Sequence, residues 1–298
     1  MSWQLATLSV LLRRVVKPRL ARTPGPAEAA HDMALAAALF ARVPPGLSRL
    51  NRGLLHWLQV GPCARRRVIL WLHGGGYVAG GPDTHAAMLG RLALLAGVEV
   101  CLPDYRLAQQ APFPAAFDDA VAAYRALLEQ GYRPRDIVLG GDSAGGGLAL
   151  SVLAWALRSG QAPAGCVLFS PWTDLAMTGD SLRSNAAADP LLPVARIEEL
   201  VEIYLQDADR RDPRASPLYA EFAGAGPVLI QYAETEILCD DCRRMAQRLR
   251  AQGVAVTEQV HPGAPHVWQL FDGWLPEARA SLTEAARFVH TSFAAARR

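Results

Sequence analysis

The sequence predicts an α/β fold, with a mostly parallel central sheet flanked by helices and a helical cap over one sheet edge. Three observations carry this. From about residue 54, short runs rich in Val, Ile and Leu alternate with longer amphipathic segments, the pattern of strand–helix–strand units. Two of the runs end directly in glycine-rich turns, His73-Gly74-Gly75-Gly76 and Gly141-Asp142-Ser143-Ala144-Gly145. The alternation is then interrupted between about 172 and 226 by a stretch with Pro-Asp turns and one helical segment, which reads as an insertion.

Taken in order, the first fifty residues are helical in pattern. Leu5, Leu8, Leu12 and Val15 fall on one helical face with Leu11 beside them, so this helix is expected to pack on the protein's own body. Trp3 and the basic end (Arg13, Arg14, Lys17) would suit a membrane surface, but this is the less favoured reading and membrane contact is not expected. Pro24-Gly25-Pro26 separates a second helix, 27–43, which Pro44-Pro45-Gly46 ends. Strands are expected at 54–60, 68–72, 98–102, 137–139, 166–169, 228–232 and 254–260. The helices between and after them are expected at 84–96, 115–130, 145–159, 240–252 and 276–296, with one more at 193–205 inside the insertion. Residues 1–50 and 172–226 are therefore expected to form the cap on a body spanning 51–298.

Composition removes several classes of function. Apolar residues make up 51% of the 298 and charged residues 19%, enough for a sizeable core and far from a disordered chain. The net charge of +2 argues against a nucleic-acid binder. No run of 18 apolar residues occurs, and at the N-terminus the charges follow the apolar part, the reverse of a secretory signal. Five cysteines argue against a disulfide framework. Cys239 and Cys242, separated by two residues and with no second pair, read as reduced thiols on a helix. A reducing, cytoplasmic compartment is expected.

The chemistry sits in the two glycine-rich turns. Gly141-Asp142-Ser143-Ala144-Gly145 follows an apolar strand and precedes a helix. A sharp turn there lifts a serine hydroxyl off the sheet, and only small flanking residues avoid a clash. The helix N-terminus lends positive potential to developing negative charge. His73-Gly74-Gly75-Gly76 offers backbone N–H groups that can hold an oxyanion, and no Lys-Ser/Thr follows it to make a phosphate loop. Together they point to acyl transfer by Ser143. A base would come last in the chain. His266, in a loop after the last strand, is favoured over His261 and over His290, which reads as a structural mid-helix histidine. The acid should follow the 228–232 strand. Asp240 and Asp241 look like first-turn helix residues, and position alone leaves Glu234 and Glu236 even.

At this point the chain resembles the hormone-sensitive-lipase-like microbial esterases of the α/β-hydrolase fold. The blocks run in order: His73-Gly74-Gly75-Gly76-Tyr77, Pro82-Asp83-Thr84-His85, Asp104-Tyr105-Arg106-Leu107-Ala108, Pro112-Phe113-Pro114-Ala115, Gly141-Asp142-Ser143-Ala144-Gly145-Gly146, Asp212-Pro213-Arg214, Ser216-Pro217-Leu218 and Pro265-His266-Val267. The N-terminal Met1-Ser2-Trp3-Gln4 and Lys17-Pro18-Arg19 are similar to the monoterpene ε-lactone hydrolase subgroup. The family's acid is usually Asp in an Asp-Pro-Leu sequence; the matching stretch is Glu236-Ile237-Leu238, so the resemblance selects Glu236. It implies a Ser143–His266–Glu236 triad, an oxyanion hole of Gly74, Gly75 and Ala144 amides, and a structural Asp142. It implies an acyl-enzyme, no metal or organic cofactor, a small ester or lactone substrate, and compatibility with a homodimer. The apolar cap residues Leu5, Leu8, Phe40, Leu200 and Tyr204 suggest a small hydrophobic acyl or lactone group. Gln109-Gln110-Ala111 replaces the family's Pro-Glu-His. The alternative is a ligand receptor on the same fold, but such receptors lack the histidine that His266 supplies here.

Overall fold

The structure, a computed structural model, describes residues 1–297. Eight strands form one sheet: β1 (Leu47–Arg52), β2 (Leu55–Val60), β3 (Val68–Leu72), β4 (Glu99–Pro103), β5 (Ile137–Asp142), β6 (Gly165–Phe169), β7 (Val228–Ala233) and β8 (Val256–His261). The helices are α1 (Trp3–Leu11), α2 (Lys17–Ala21), α3 (Pro26–Phe40), α4 (Pro82–Ala96), α5 (Ala115–Glu129), α6 (Ser143–Arg158), α7 (Ser181–Ser184), α8 (Ile197–Leu205), α9 (Cys239–Ala251) and α10 (Pro276–Ala295). A wider π turn, Leu12–Val16, joins α1 to α2.

The spatial order is β1-β2-β4-β3-β5-β6-β7-β8. β2 is antiparallel to both of its neighbours, and all other pairs are parallel. β3, β5, β6 and β7 are buried along their whole length, which is why they read as unbroken apolar runs. Their side chains alternate between two cores. Val68, Leu70 and Leu72 pack with Tyr124 of α5, Leu148 of α6 and Met245 of α9. Ile69 and Trp71 pack on the other face with Leu89 of α4 and Val289 and Phe293 of α10. Helix α4 stops at Gly97, whose left-handed φ of +55° makes the αL cap.

The chain leaves β3 for β4 on one side and returns to β5 on the other, so strand order reverses between β3 and β5. Ligand crevices of open parallel sheets form at such a switch point, outside the carboxyl ends of the strands. His73-Gly74-Gly75-Gly76 follows β3 there and Ser143 follows β5.

Residues between β6 and β7 lie over this end of the sheet. The Tyr204 ring of α8 stacks on Tyr77 at 3.7 Å and 3°, and the Phe113 N–H donates to the Tyr204 carbonyl at 2.8 Å. The N-terminal helix packs elsewhere. Leu5 fills a small core with Ala233, Ala264 and Trp268, and Ser2 donates its N–H and hydroxyl to Glu277 at 2.6 and 2.9 Å.

Several expectations need correction. The N-terminal helix does not gather its apolar residues on one buried face: Leu5 and Leu12 are buried, whereas Leu11 and Val15 are more than half exposed. Strand β1 was not expected, because five of its six residues are exposed and give no alternating apolar signal. α6 begins at Ser143 itself rather than at 145. His290 is exposed on α10 rather than a satisfied interior residue.

Candidate active site

Ser143 opens α6 directly from β5 with φ +53°, a conformation that costs a non-glycine residue on the order of 1–3 kcal/mol. Surrounding glycines make the turn feasible. A Cβ on Gly145 would run into the Leu72 and His73 carbonyl oxygens, and one on Gly147 into the Trp172 carbonyl. The start of α6 therefore lies against the end of β3. A Cβ on Gly74 would stand 3.1 Å from the Ser143 Cβ, so the two glycine-rich turns meet. The Ser143 carbonyl accepts the Trp172 N–H at 2.9 Å.

His266, 5% exposed, follows β8 in a short loop. Its Nδ1 is 2.7 Å from Glu236 Oε2. The other Glu236 oxygen accepts the Ser170 hydroxyl at 2.7 Å and the Ala233 N–H at 2.8 Å. Burial alone would lower the imidazole pKa, but the hydrogen bond and charge of Glu236 outweigh it and raise it above the ordinary value. His266 Nε2 is buried and makes no hydrogen bond among the described residues, so none joins it to Ser143. Glu234 is exposed, with its carboxylate 3.9 Å from Arg243. The structure thus brings Glu236 to the imidazole and leaves Glu234 in solvent. Ser170 and Val267 also take positive φ, +46° and +49°, so backbone strain gathers around these side chains.

Asp142 is buried and holds the two turns together. It accepts Trp71 Nε1–H at 2.9 Å, the Gly74 N–H at 3.1 Å and a contact from His85 Nε2 at 3.1 Å. Burial raises its carboxyl pKa, but the His85 charge and these hydrogen bonds prevail and hold it below the usual carboxylate range. Its expected structural role fits this geometry. The expected role of Gly74 does not, because its N–H is already committed to Asp142. The amides of Gly75, Gly76 and Ala144 donate to no acceptor among the described residues. Gly75 and Gly76 take φ of +124° and +62°, open to glycine at little steric cost. His73 stacks on Tyr105 at 4.2 Å, and burial, with His85 nearby, pushes its pKa down to about 3. It is a neutral wall of the turn.

Of the five apolar residues expected over the site, the structure places Leu200 and Tyr204 there, against Gly76 and Tyr77. Leu5 packs beneath the β7 and β8 loops, and Phe40 is exposed. Gln109 and Gln110 have structural partners: Gln109 Nε2 donates to the Val78 carbonyl at 2.8 Å, and Gln110 Oε1 accepts the Leu107 N–H at 2.9 Å. Cys239 and Cys242 are buried free thiols. Ser170 escaped the sequence reading, and Gly76, read as part of the oxyanion turn, was not among the donors it selected. The Ser170-Pro171-Trp172 turn after β6 carries no sequence signal for contact with an acid 66 residues away.

Comparison with known proteins agrees with this architecture. A family model described as the α/β-hydrolase fold matches residues 69–270. An acetyl-hydrolase of Streptomyces hygroscopicus is 40% identical over 272 residues, 90% of either chain. An esterase of Acinetobacter venetianus is 37% identical over 227 residues, 74% of either chain. The crystal structure of an esterase/lipase from an uncultured bacterium superposes with a TM-score of 0.93 at 34% identity, covering 99% of this chain and 100% of that one. An esterase of the bacterial hormone-sensitive lipase family gives 0.92 at 36% identity, covering 98% and 99%. The chain belongs to the α/β-hydrolase-fold family, among its hormone-sensitive-lipase-like members.

Proposed function

We propose that the protein is a serine carboxylic-ester hydrolase acting on small hydrophobic acyl esters or lactones through Ser143, His266 and Glu236. The observation that carries the reading is the buried His266–Glu236 pair at 2.7 Å with Nε2 left bare, at the sheet edge where Ser143 stands on its strained turn. The relatives named esterase and acetyl-hydrolase support it.

In this reading Ser143 Oγ attacks the acyl carbonyl as its proton passes to His266 Nε2. The Gly75, Gly76 and Ala144 amides hold the oxyanion, each commonly worth about 3 kcal/mol. The tetrahedral intermediate collapses and expels the alkoxide, which takes the proton from His266. A water, deprotonated by the same imidazole, then cleaves the acyl-enzyme and restores Ser143. Glu236 keeps Nδ1 protonated and stabilises the imidazolium. The Ser143–His266 hydrogen bond forms as substrate binds, since such contacts are often loose in free enzymes. Residues 172–226 form the cap, which the N-terminal segment meets at its side through Arg13 and Lys17 on the Ala188, Ala186 and Asp189 carbonyls, and Leu200 at Gly76 limits the room for the acyl group.

Ser143→Ala is expected to abolish p-nitrophenyl butyrate hydrolysis and fluorophosphonate labelling while leaving the far-UV circular dichroism unchanged. Retained turnover removes Ser143 from the mechanism. A wild-type protein that neither hydrolyses nor reacts is the receptor alternative.

A further inference from the structure

The N-terminal arm concentrates two properties that are sparse on the rest of the described surface. Fourteen large apolar side chains are exposed among the described residues, and ten of them precede residue 51, including Trp3, Val10, Leu11, Val15, Leu39 and Phe40. Residues 1–52 also carry eight Lys and Arg against two Asp and Glu, a net charge of +6, while 53–298 carry 22 against 26, a net −4.

The two properties share one region. Along α1 and the π turn, Trp3, Thr7, Val10, Leu11, Arg14 and Val15 are exposed, at spacings of one helical face. This is the face opposite Leu5 and Leu12. Helix α3 is 15 residues long and buries none of them. The two helical stretches meet at the 274–277 turn: Ser2 bonds Glu277, Trp274 Nε1–H donates to the Phe40 carbonyl at 2.8 Å, and Trp274 is itself 47% exposed. Between them lies an open cleft of about 760 Å³ whose walls include Arg14, Val15, Pro18 and Arg22. Arg19 is neutralised by Asp32 at 2.6 Å. Arg13 and Arg42 donate only to carbonyls, of Ala188 and Gly273. The guanidinium groups of Arg14 and Arg22 make no hydrogen bond or ion pair among the described residues.

We infer that this arm is a docking surface for an anionic lipid bilayer, with the Trp3–Val10–Leu11–Val15 face entering the headgroup boundary and the free arginines meeting lipid phosphates. Apolar side chains with Trp, flanked by unpaired basic residues, are what an interfacial helix needs. Charge selects this occupant over a second copy of the chain. A two-fold contact through this face would set its unpaired Arg14 and Arg22 against their own copies, whereas an anionic leaflet gains roughly 1 kcal/mol from each basic residue near it. The inference does not depend on the esterase reading, because its readout is binding.

The test is co-flotation of the full-length protein with liposomes of phosphatidylcholine alone or mixed with phosphatidylglycerol. Binding is expected only to the anionic vesicles, falling as salt screens it. Arg14→Ala with Arg22→Ala should weaken the partition about 30-fold, roughly fivefold per arginine. Trp3→Ser with Leu11→Ser should weaken it further, with far-UV circular dichroism and thermal unfolding as in the wild type. Absence of binding, equal binding to both vesicle types, or wild-type binding by either double variant overturns the proposal. So does sedimentation in which the wild type is a dimer that the same substitutions dissociate, with vesicles left unbound; the face then belongs to a second copy.

Discussion

Both oxygens of the Glu236 carboxylate are occupied, one by Ser170 and Ala233 and the other by His266. A carboxylate held this way keeps one orientation, so the imidazole it grips keeps one tautomer. In the proposed mechanism Glu236→Gln replaces an acceptor with an amide that cannot stabilise imidazolium. We expect kcat to fall by about 10⁴-fold, while Glu234→Gln, in solvent, stays near wild type. The pH profile gives an independent reading. His266 must be neutral to take the serine proton, and Glu236 raises its pKa above the ordinary value. Activity should therefore rise with pH through that raised value. In Glu236→Gln burial is opposed only by the weaker pull of Asp189 and Asp142, so the acid limb of the residual kcat/KM should move to lower pH. An unmoved limb would mean that another group controls it.

The start of α6 is the element on which the site depends, and its glycines are demanded by neighbours rather than by flexibility. Gly145 faces the Leu72 and His73 carbonyls, and neither backbone can yield without dislocating β3. Gly145→Ala should cost about 1–3 kcal/mol of stability by overpacking, read as a lower midpoint in urea, and should depress kcat more than KM by pushing Ser143 off its turn. A wild-type midpoint would show that α6 has room to retreat. This steric logic is why the β5–α6 turn could be read from the sequence: the glycine pattern and the apolar run before it are local. The buried strands β3, β5, β6 and β7 were legible for the same reason. β1 was not, since it lies at the sheet edge with exposed side chains. Nor was the choice between Gly74 and Gly76, which turns on an Asp142 carboxylate 68 residues away capturing the Gly74 amide. The two faces of α1 were invisible because leucine periodicity does not say which leucines find a partner.

Across the whole molecule, the acidic pair opening α9 ties the stretch after β6 to the body. Asp240 Oδ2 accepts the Ser181 N–H at 2.8 Å, and Asp241 Oδ2 accepts the Thr173 and Asp174 N–H groups at 2.7 and 2.9 Å. The sequence identified both as helix-opening residues, but their reach across to 173–181 is long-range and carried no local signal. Asp241 is 1% exposed. Burial, with the nearby Asp174, drives its carboxyl from 3.8 up to about 7, against the pull of the two amides and Arg244. A folded pKa above the unfolded one means that the native state holds this proton more tightly. Its contribution to stability is thus complete below about pH 4 and is lost as pH rises towards 7. The full swing is on the order of 4 kcal/mol, taking 1.36 kcal/mol per pKa unit. Asp241→Asn keeps an oxygen for the two amides and removes the titration. Urea unfolding of the two proteins should therefore show the variant gaining on the wild type steadily from pH 4.5 to 8. A difference that stays flat over that range would mean that Asp241 remains ionised throughout, its charge carried by the Thr173 and Asp174 amides and Arg244.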